Sequence, residues 1–265
     1  MNGTRTTPAP THVARAVILG ASNCSRGIAT AVDTARTVLD GPIDLHVAIG
    51  HGRSYIGAST VAFRTLPGIV ESDLWATLAS PAELPTVALL TDVGTDIMFG
   101  ASAEAILRTV DTCVARLRAV NATVVITNLA TERLSQVNRR QFRAAKTVFF
   151  PCHPTTFEQA HAAIDAVAEG LPDIARAHDA TLIAPQGAWF GLDPIHITRR
   201  AIPVAWRTML GPWNPLCEAP PVRTSLGRWL TVRPARAHRW SIAGIARQTE
   251  QPARALRDGS TISLW

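Results

Sequence analysis

The chain has 265 residues, of which 47% are hydrophobic and 17% charged, and its formal net charge is +6. This composition excludes a disordered chain, and the apolar runs are far shorter than the roughly 20 residues of a membrane span. The length allows a large core, so we expect one main domain with an appendage. Residues 1–10 are polar and the four cysteines form no Cys-x-x-Cys pair, so we expect a cytoplasmic protein with reduced thiols.

The basic residues concentrate towards the end of the chain. Eight arginines occur from Arg223 onward, opposed by Glu250 and Asp258. A solvated basic surface accounts for this density, so we do not expect nucleic acid as a partner. The oligomeric state is not visible in the sequence.

Strands and helices alternate along the chain. After a flexible N-terminal arm at 1–12, runs that are apolar or β-branched without alternation are typical of buried strands. They cover residues 14–19, 44–49, 86–90, 122–127 and 180–184. Amphipathic patterns predict helices between and after them. These helices cover residues 25–39, 102–120, 136–147, 157–178 and 194–210. The alternation predicts a three-layer α/β/α sandwich around a parallel sheet.

Prolines in residues 211–221 mark the end of this core, so the predicted main domain spans 13–221. The rest, 222–265, is a basic C-terminal appendage in which we recognise no clear helix. Its last residues predict a turn and a short strand. We expect them to form a hairpin packed on the core.

Polar and small residues follow the predicted strands. Ser22 follows the first strand, Gly52 the second, and Asp193 and His196 lie beyond the fifth. Because the carboxyl ends of parallel strands meet at one edge, these residues are expected to share one rim. A serine nucleophile needs a histidine base, a carboxylate that orients it, and N–H donors for the oxyanion.

The segment Asp193-Pro194-Ile195-His196 carries two of these groups. Pro194 suits the first position of a helix and Asp193 its N-cap, so one helical turn would present both acid and base. In the competing interpretation, Asp193 only caps the helix and His196 is a surface residue. Ser22 and Gly52 would then be ordinary turn residues.

Taken together and in this order, the segments resemble the blocks of SGNH-type (GDSL-like) hydrolases over the core 13–210. Gly20-Ala21-Ser22-Asn23 resembles the first block, His51-Gly52-Arg53-Ser54-Tyr55 the second, and Asp193-Pro194-Ile195-His196 the fifth. The resemblance implies that Ser22 is the nucleophile, Asp193 the acid partner and His196 the base. It implies that the backbone N–H groups of Ser22 and Gly52 bind the oxyanion. It also implies a five-stranded, flavodoxin-like sheet of order 2-1-3-4-5.

The chain departs from the family pattern at two places. Ala21 stands where the first block has aspartate, a mainly structural position. In Asp92-Val93-Gly94-Thr95-Asp96, Thr95 holds the place of an asparagine whose amide donates to the oxyanion. Losing one such donor typically costs about 100- to 1000-fold in turnover. Thr95 and Asn23 are therefore the candidates for the third donor.

The implied function is hydrolysis of an ester or thioester of a small acyl group, with no metal or organic cofactor. An SGNH-fold binding protein that has lost turnover is the alternative. A dehydrogenase resembling the short-chain family is a remote one, because Tyr55 and Lys146 form no Tyr-x-x-x-Lys pair.

Two other sites are conceivable but lack support in the sequence. Cys24 as nucleophile has no base placed for it. Cys152, His153 and His161 lack metal-ligand spacing and are more typical of core or surface residues.

Overall fold

The computed structural model of the chain describes residues 12–80, 83–149, 153, 155–223 and 225–265. Apart from His12, the predicted N-terminal arm lies outside these residues. The strands are β1 (Ala14–Leu19), β2 (Ile43–Ala48), β3 (Ser59–Val61), β4 (Arg64–Leu66), β5 (Thr86–Leu90), β6 (Thr123–Thr127), β7 (Thr181–Ile183), β8 (Arg239–Ile242), β9 (Ile245–Gln248), β10 (Arg254–Ala255) and β11 (Thr261–Leu264). The α-helices are α1 (Ser22–Val38), α2 (Leu74–Leu78), α3 (Thr95–Met98), α4 (Ala103–Ala119), α5 (Thr131–Leu134), α6 (Arg139–Phe149), α7 (Phe157–Ala177), α8 (Ile202–Leu210) and α9 (Leu226–Val232).

A seven-stranded central sheet has the order β10-β11-β2-β1-β5-β6-β7. The five strands from β2 to β7 are parallel neighbours, which confirms the predicted order 2-1-3-4-5. The predicted number of strands was wrong, because the C-terminal hairpin extends the sheet. β11 pairs parallel with β2 and β10 antiparallel with β11. This pairing satisfies backbone groups that an edge strand at β2 would leave unpaired.

Helices cover both faces of the sheet, as the uninterrupted apolar strands predict. In β1, Ala16 and Ile18 join the core that contains the buried faces of α1 and α8. Val17 and Leu19 point the other way, into the core formed with α4 and α7. The architecture is therefore the expected three-layer α/β/α sandwich. Within the described residues, none of the helices combines the length and apolar character needed to cross a membrane.

The C-terminal segment is more ordered than the sequence suggested. It contains the helix α9, capped by the Ser225 side chain, where we expected no clear helix. Its strands β8 and β9 form a second sheet of order β3-β4-β8-β9 with the hairpin that follows β2. Arg228 pairs with Asp33 on α1, and Arg239 pairs with Asp73. These ion pairs attach the segment to the main fold.

Three predicted helix starts need correction, and one of them is that of α6, which begins at Arg139 and not at residue 136. The last helix, α8, begins at Ile202 and not at residue 194. A helix over 194–210 would place Pro203 in its interior, where proline removes a hydrogen bond and clashes with the preceding turn. In the structure Pro203 lies in the first turn, where proline is tolerated. The first helix, α1, begins at Ser22, earlier than the predicted residue 25.

Candidate active site

Ser22 lies where the first strand of the sheet turns into the first helix. β1 ends at Leu19, and Ser22 is the first residue of α1. The neighbours of β1 are β2 and β5, so the chain leaves β1 towards one side of the sheet and later returns on the other. This switch point, at the carboxyl end of the strands, is where open α/β sheets bind ligands.

The structure brings Ser22, His196 and Asp193 together. Ser22 Oγ lies 2.9 Å from His196 Nε2, and His196 Nδ1 lies 2.7 Å from Asp193 Oδ2. The segment 193–198 is a loop and not the first turn of a helix, so the predicted N-cap role of Asp193 was wrong. Asp193 Oδ1 instead accepts the backbone N–H groups of Ile195 and His196, which folds the loop into a tight turn. One short segment thus carries both the acid and the base, but it forms a tight turn in a loop and not the first turn of a helix.

Asp193 is held in its ionised form. Burial acts to raise its pKa, but the hydrogen bond from the His196 ring, the N–H of Ile195 and the charge of His196 lower the pKa to about 2. The carboxylate therefore stays charged near neutral pH. A charged acceptor fixes the His196 proton on Nδ1 and leaves Nε2 free to accept the Ser22 proton.

Asp92 contributes to the site, although the sequence pattern assigned it no role. Its Oδ2 accepts the backbone N–H groups of Ala21 and Asn23 at 3.0 Å, and that of Cys24 at 3.4 Å. A carboxylate at a helix N-terminus is favourable because it meets unpaired donors and the positive end of the helix dipole. Its position directly after β5, the neighbour of β1, is the sequence signal that would have identified it.

Asn23 ties the loop of His196 to the start of α1. Its amide group donates to Asp92 Oδ1 at 2.8 Å and to the Ile195 carbonyl at 3.1 Å, and its Oδ1 accepts the Ile197 N–H at 2.9 Å. Both amide hydrogens are used in this way. Asn23 thus positions the loop and has no donor left for an oxyanion.

The backbone N–H of Ser22 is placed differently from its neighbours. Asp92 accepts the N–H groups on both sides of it but not its own, and among the described residues the Ser22 N–H has no partner. The N–H of Gly52 likewise has none within the described part of the chain. Gly52 has φ +59 and lies against Val61, whose Cγ2 would be 2.7 Å from an added Cβ. The backbone conformation and the close approach both require glycine here.

The segment from Asp92 to Asp96 holds the loops together. Thr95 donates its hydroxyl hydrogen to the Asp92 carbonyl at 2.9 Å, so in this conformation it offers no free donor. Asp96 is buried and accepts hydrogen bonds from the Ser54 hydroxyl and the Tyr55 N–H. Burial raises the pKa of Asp96, against the lowering effect of these bonds. Asp96 thereby fixes the loop of Gly52 against the loop that follows β5.

The other candidate residues do not form sites in the structure. Cys24 is buried, and burial together with the charge of Asp92 raises the pKa of its thiol well above the usual value, so it stays protonated. Tyr55 is buried with its hydroxyl on the carbonyls of Leu19 and Thr91, whereas Lys146 binds the Thr155 carbonyl. Each side chain is bonded to a backbone carbonyl, and the two do not form the Tyr–Lys pair of a dehydrogenase.

The sequence predicted that Cys152, His153 and His161 do not form a metal centre. Cys152 lies outside the described residues. His153 packs on Phe99, and His161 packs on Phe157. In the part of the chain that the structure describes, no group of three or more His, Cys, Asp or Glu side chains is arranged to hold a metal ion.

The side chains of the site are partly open to solvent. The side chains of His196 and Asp193 are 22% and 54% exposed. Cavities of about 240 and 340 Å³ lie at the opposite edge of the sheet, one beside Arg36 and Asp258 and the other beside Ala14.

The backbone is similar to those of several solved structures. The esterase EstA from Pseudoalteromonas sp. is 14% identical, with 75% of this chain and 97% of that chain covered and a TM-score of 0.49. The M. smegmatis aryl esterase is 12% identical, with 76% and 98% covered and a TM-score of 0.48. A lipolytic G-D-S-L family member from Veillonella parvula is also 12% identical, with 74% and 96% covered and a TM-score of 0.48. No protein-family model and no curated protein matches the sequence. At these identities the likeness concerns the fold.

Proposed function

We propose that the protein is an SGNH-type serine hydrolase that cleaves a carboxylic ester or thioester of a small acyl group. The observation that carries this proposal is the hydrogen-bonded chain from Ser22 Oγ through His196 to Asp193, with distances of 2.9 and 2.7 Å. Such a chain is the requirement for activating an alcohol as a nucleophile at neutral pH.

In the proposed reaction, Ser22 Oγ attacks the acyl carbon while His196 Nε2 takes the hydroxyl proton. The tetrahedral intermediate then collapses, the bond to the leaving oxygen or sulfur breaks, and His196 returns the proton to the leaving group. Water attacks the resulting acyl-serine, with His196 again as base, and releases the acid and free Ser22. Asp193 stays ionised throughout and stabilises the imidazolium.

The free N–H groups of Ser22 and Gly52 are the proposed oxyanion donors. Preorganised backbone donors of this kind stabilise the charge that develops on the carbonyl oxygen. A third donor is not in place, because Thr95 and Asn23 both use their hydrogens in other bonds. We therefore expect modest turnover on simple esters, or a third contact supplied by the substrate itself.

Covalent labelling tests the nucleophile directly. A fluorophosphonate probe is expected to modify wild-type protein and not Ser22→Ala, and peptide mapping should place the adduct on Ser22. Aryl esters of increasing acyl length, run beside Ser22→Ala, then report the acyl specificity. A folded wild-type protein that neither reacts with the probe nor hydrolyses any ester would refute the proposal.

The second candidate function is a binding protein with this fold but without turnover. The observation that favours it is Thr95, whose hydroxyl is committed to the Asp92 carbonyl. Thr95→Asn distinguishes the two, because an added amide donor should raise kcat/KM on an aryl ester by about 100-fold in a hydrolase that lacks it. A binding protein would gain no activity from this change.

A further inference from the structure

Two arginines near Ser22 have no acidic partner. Neither Arg26 nor Arg64 forms an ion pair within the described residues. Arg26 is exposed to solvent. Arg64 packs over the ring of Trp240 at 5.6 Å, and its Nε is buried without a hydrogen-bond partner. A buried guanidinium nitrogen without an acceptor is costly unless another group supplies one.

Both arginines flank the proposed oxyanion donors. Arg26 follows Ser22 by four positions on α1, so the two lie on the same helix face, with Cβ atoms about 5–6 Å apart. Arg64 pairs across the β3–β4 hairpin with Val61, the residue that packs on Gly52. Arg26 is thus a neighbour of Ser22 on the helix, and Arg64 is paired with the residue that contacts Gly52 on the hairpin.

The electrostatics of His51, the neighbour of Gly52, agree with this placement. Burial lowers the pKa of His51, and the charges of His196, Arg26 and Arg64 lower it further. Arg26 and Arg64 are therefore close enough to act on the same loop. The neighbouring Arg53 is fully buried, and its side chain donates to backbone oxygens of Ile49, Pro67 and Trp265.

The carboxylates around the site are already engaged. Asp92 accepts the N–H groups at the start of α1, and Asp193 binds His196. Asp96 binds Ser54 and the backbone of the same loop. On the second sheet, Asp73 pairs with Arg239. None of these four carboxylates forms an ion pair with Arg26 or Arg64, so both guanidinium groups remain available to an anion.

We propose that the substrate carries an anionic oxyacid group, a phosphate or a carboxylate, which Arg26 and Arg64 bind while the ester lies at Ser22. This inference rests on the proposed hydrolase function and narrows its substrate class. The planar guanidinium matches the oxygens of phosphate and carboxylate and forms paired, charge-assisted hydrogen bonds with them. Exposed guanidinium charge close to the nucleophile also speeds the arrival of an anionic substrate.

Three acetate esters test the substrate class. 4-Acetoxybenzoate carries a carboxylate, 4-acetoxyphenyl phosphate carries a phosphate, and methyl 4-acetoxybenzoate is neutral. Each kcat/KM is divided by the hydroxide-catalysed rate of the same ester, which removes differences in leaving-group reactivity. We expect a preference of about tenfold or more for at least one anionic ester at low ionic strength, and its decline at high salt. The better of the two anions identifies the oxyacid.

Substitutions locate the preference. Arg26→Gln and Arg64→Gln are each expected to lower the ratio of anionic to neutral kcat/KM by about tenfold. Arg64→Lys keeps the positive charge and should keep more of that ratio than Arg64→Gln. The comparison separates loss of the charge that binds the anion from loss of the contact with Trp240. Arg257→Gln is the matched control, because Arg257 is an exposed arginine in the turn before β11, at the opposite edge of the sheet. It should leave the ratio unchanged.

The outcomes separate this inference from the proposed function. If all three esters are hydrolysed with normalised rates that are equal and insensitive to salt, the anionic substrate class is wrong and the hydrolase stands. A preference that survives both glutamine substitutions would also overturn the assignment to Arg26 and Arg64. If no ester is hydrolysed and Ser22 resists labelling, the proposed function itself fails.

Discussion

Asp193→Asn tests the proposed relay by changing one atom of the hydrogen-bonded chain. The amide oxygen would keep the place of Oδ1, which accepts the N–H groups of Ile195 and His196. The amide nitrogen would then face His196 Nδ1, 2.7 Å away, with a hydrogen of its own. His196 Nδ1 would have to accept, so the ring proton moves to Nε2. In that tautomer Nε2 cannot accept the proton of Ser22.

The size of the loss follows from this wrong tautomer. The same change in a buried serine protease triad lowers kcat by about 10,000-fold. Asp193 is 54% exposed, so water partly competes for the ring, and we expect about 1000-fold. That is about 4 kcal/mol of transition-state stabilisation. The assay is kcat and kcat/KM on an aryl ester, with the rate of fluorophosphonate labelling of Ser22 as a second readout.

The chain supplies a matched control for this substitution. Asp111 Oδ1 lies 2.7 Å from His178 Nε2, and these side chains are 52% and 22% exposed, close to the values for Asp193 and His196. Asp111→Asn therefore removes an equivalent carboxylate–histidine contact away from Ser22, and activity should stay within about twofold of wild type. A loss below about tenfold in folded Asp193→Asn, or an equal loss in Asp111→Asn, would refute the relay.

Three further predictions concern residues around the core of the site and the sheet. Asn23→Ala removes the hydrogen bonds to Asp92 and to the loop of His196, so the unfolding free energy should fall by about 2–3 kcal/mol. The value of kcat should fall by a larger factor than KM changes. An unaltered kcat would mean that the loop keeps its position without Asn23. Asp92→Ala leaves the first N–H groups of α1 without their acceptor, so the unfolding free energy measured in denaturant should fall by about 2–4 kcal/mol. A fall below about 0.5 kcal/mol would contradict the capping role. Burial acts to raise the pKa of Asp44, but the hydrogen bond from His46 and its charge lower it to about 2. A carboxyl group with a depressed folded pKa stabilises the protein above its unfolded pKa and loses that contribution as the pH falls through the folded pKa. Between about pH 4 and pH 2, the unfolding free energy measured in urea should therefore fall less in Asp44→Asn than in wild type. An equal fall in both proteins would contradict this.

Local pattern was sufficient for the strands of the central sheet. β1 and β5 have the predicted bounds, and β2, β6 and β7 lie within a residue of them. Strands covered on both faces read as continuous apolar runs, which few other structures produce. Helix starts were less predictable, because they depend on groups from elsewhere in the chain. α1 begins at Ser22 since Asp92, distant in sequence, accepts its first N–H groups.

The second sheet was not predicted. It joins the β3–β4 hairpin to β8 and β9 near the other end of the chain. These strands are short and few of their residues are buried, so they lack the apolar run that marks a buried strand. Pairing between segments so far apart is decided by the packing of the whole molecule.

By itself, the sequence determined the layered parallel sheet, the rim at which its loops meet, and the presence there of Ser22, Asp193 and His196. Only the tertiary structure decided how these side chains meet, that Asn23 and Thr95 bind neighbouring groups, and that Asp92 caps α1. The physical reason is one of range. The burial of a strand and the periodicity of a helix are visible in the residue pattern of the segment itself, so they can be recognised locally. A hydrogen bond between two loops depends on the relative position of both, and that position is set only when the complete core has packed.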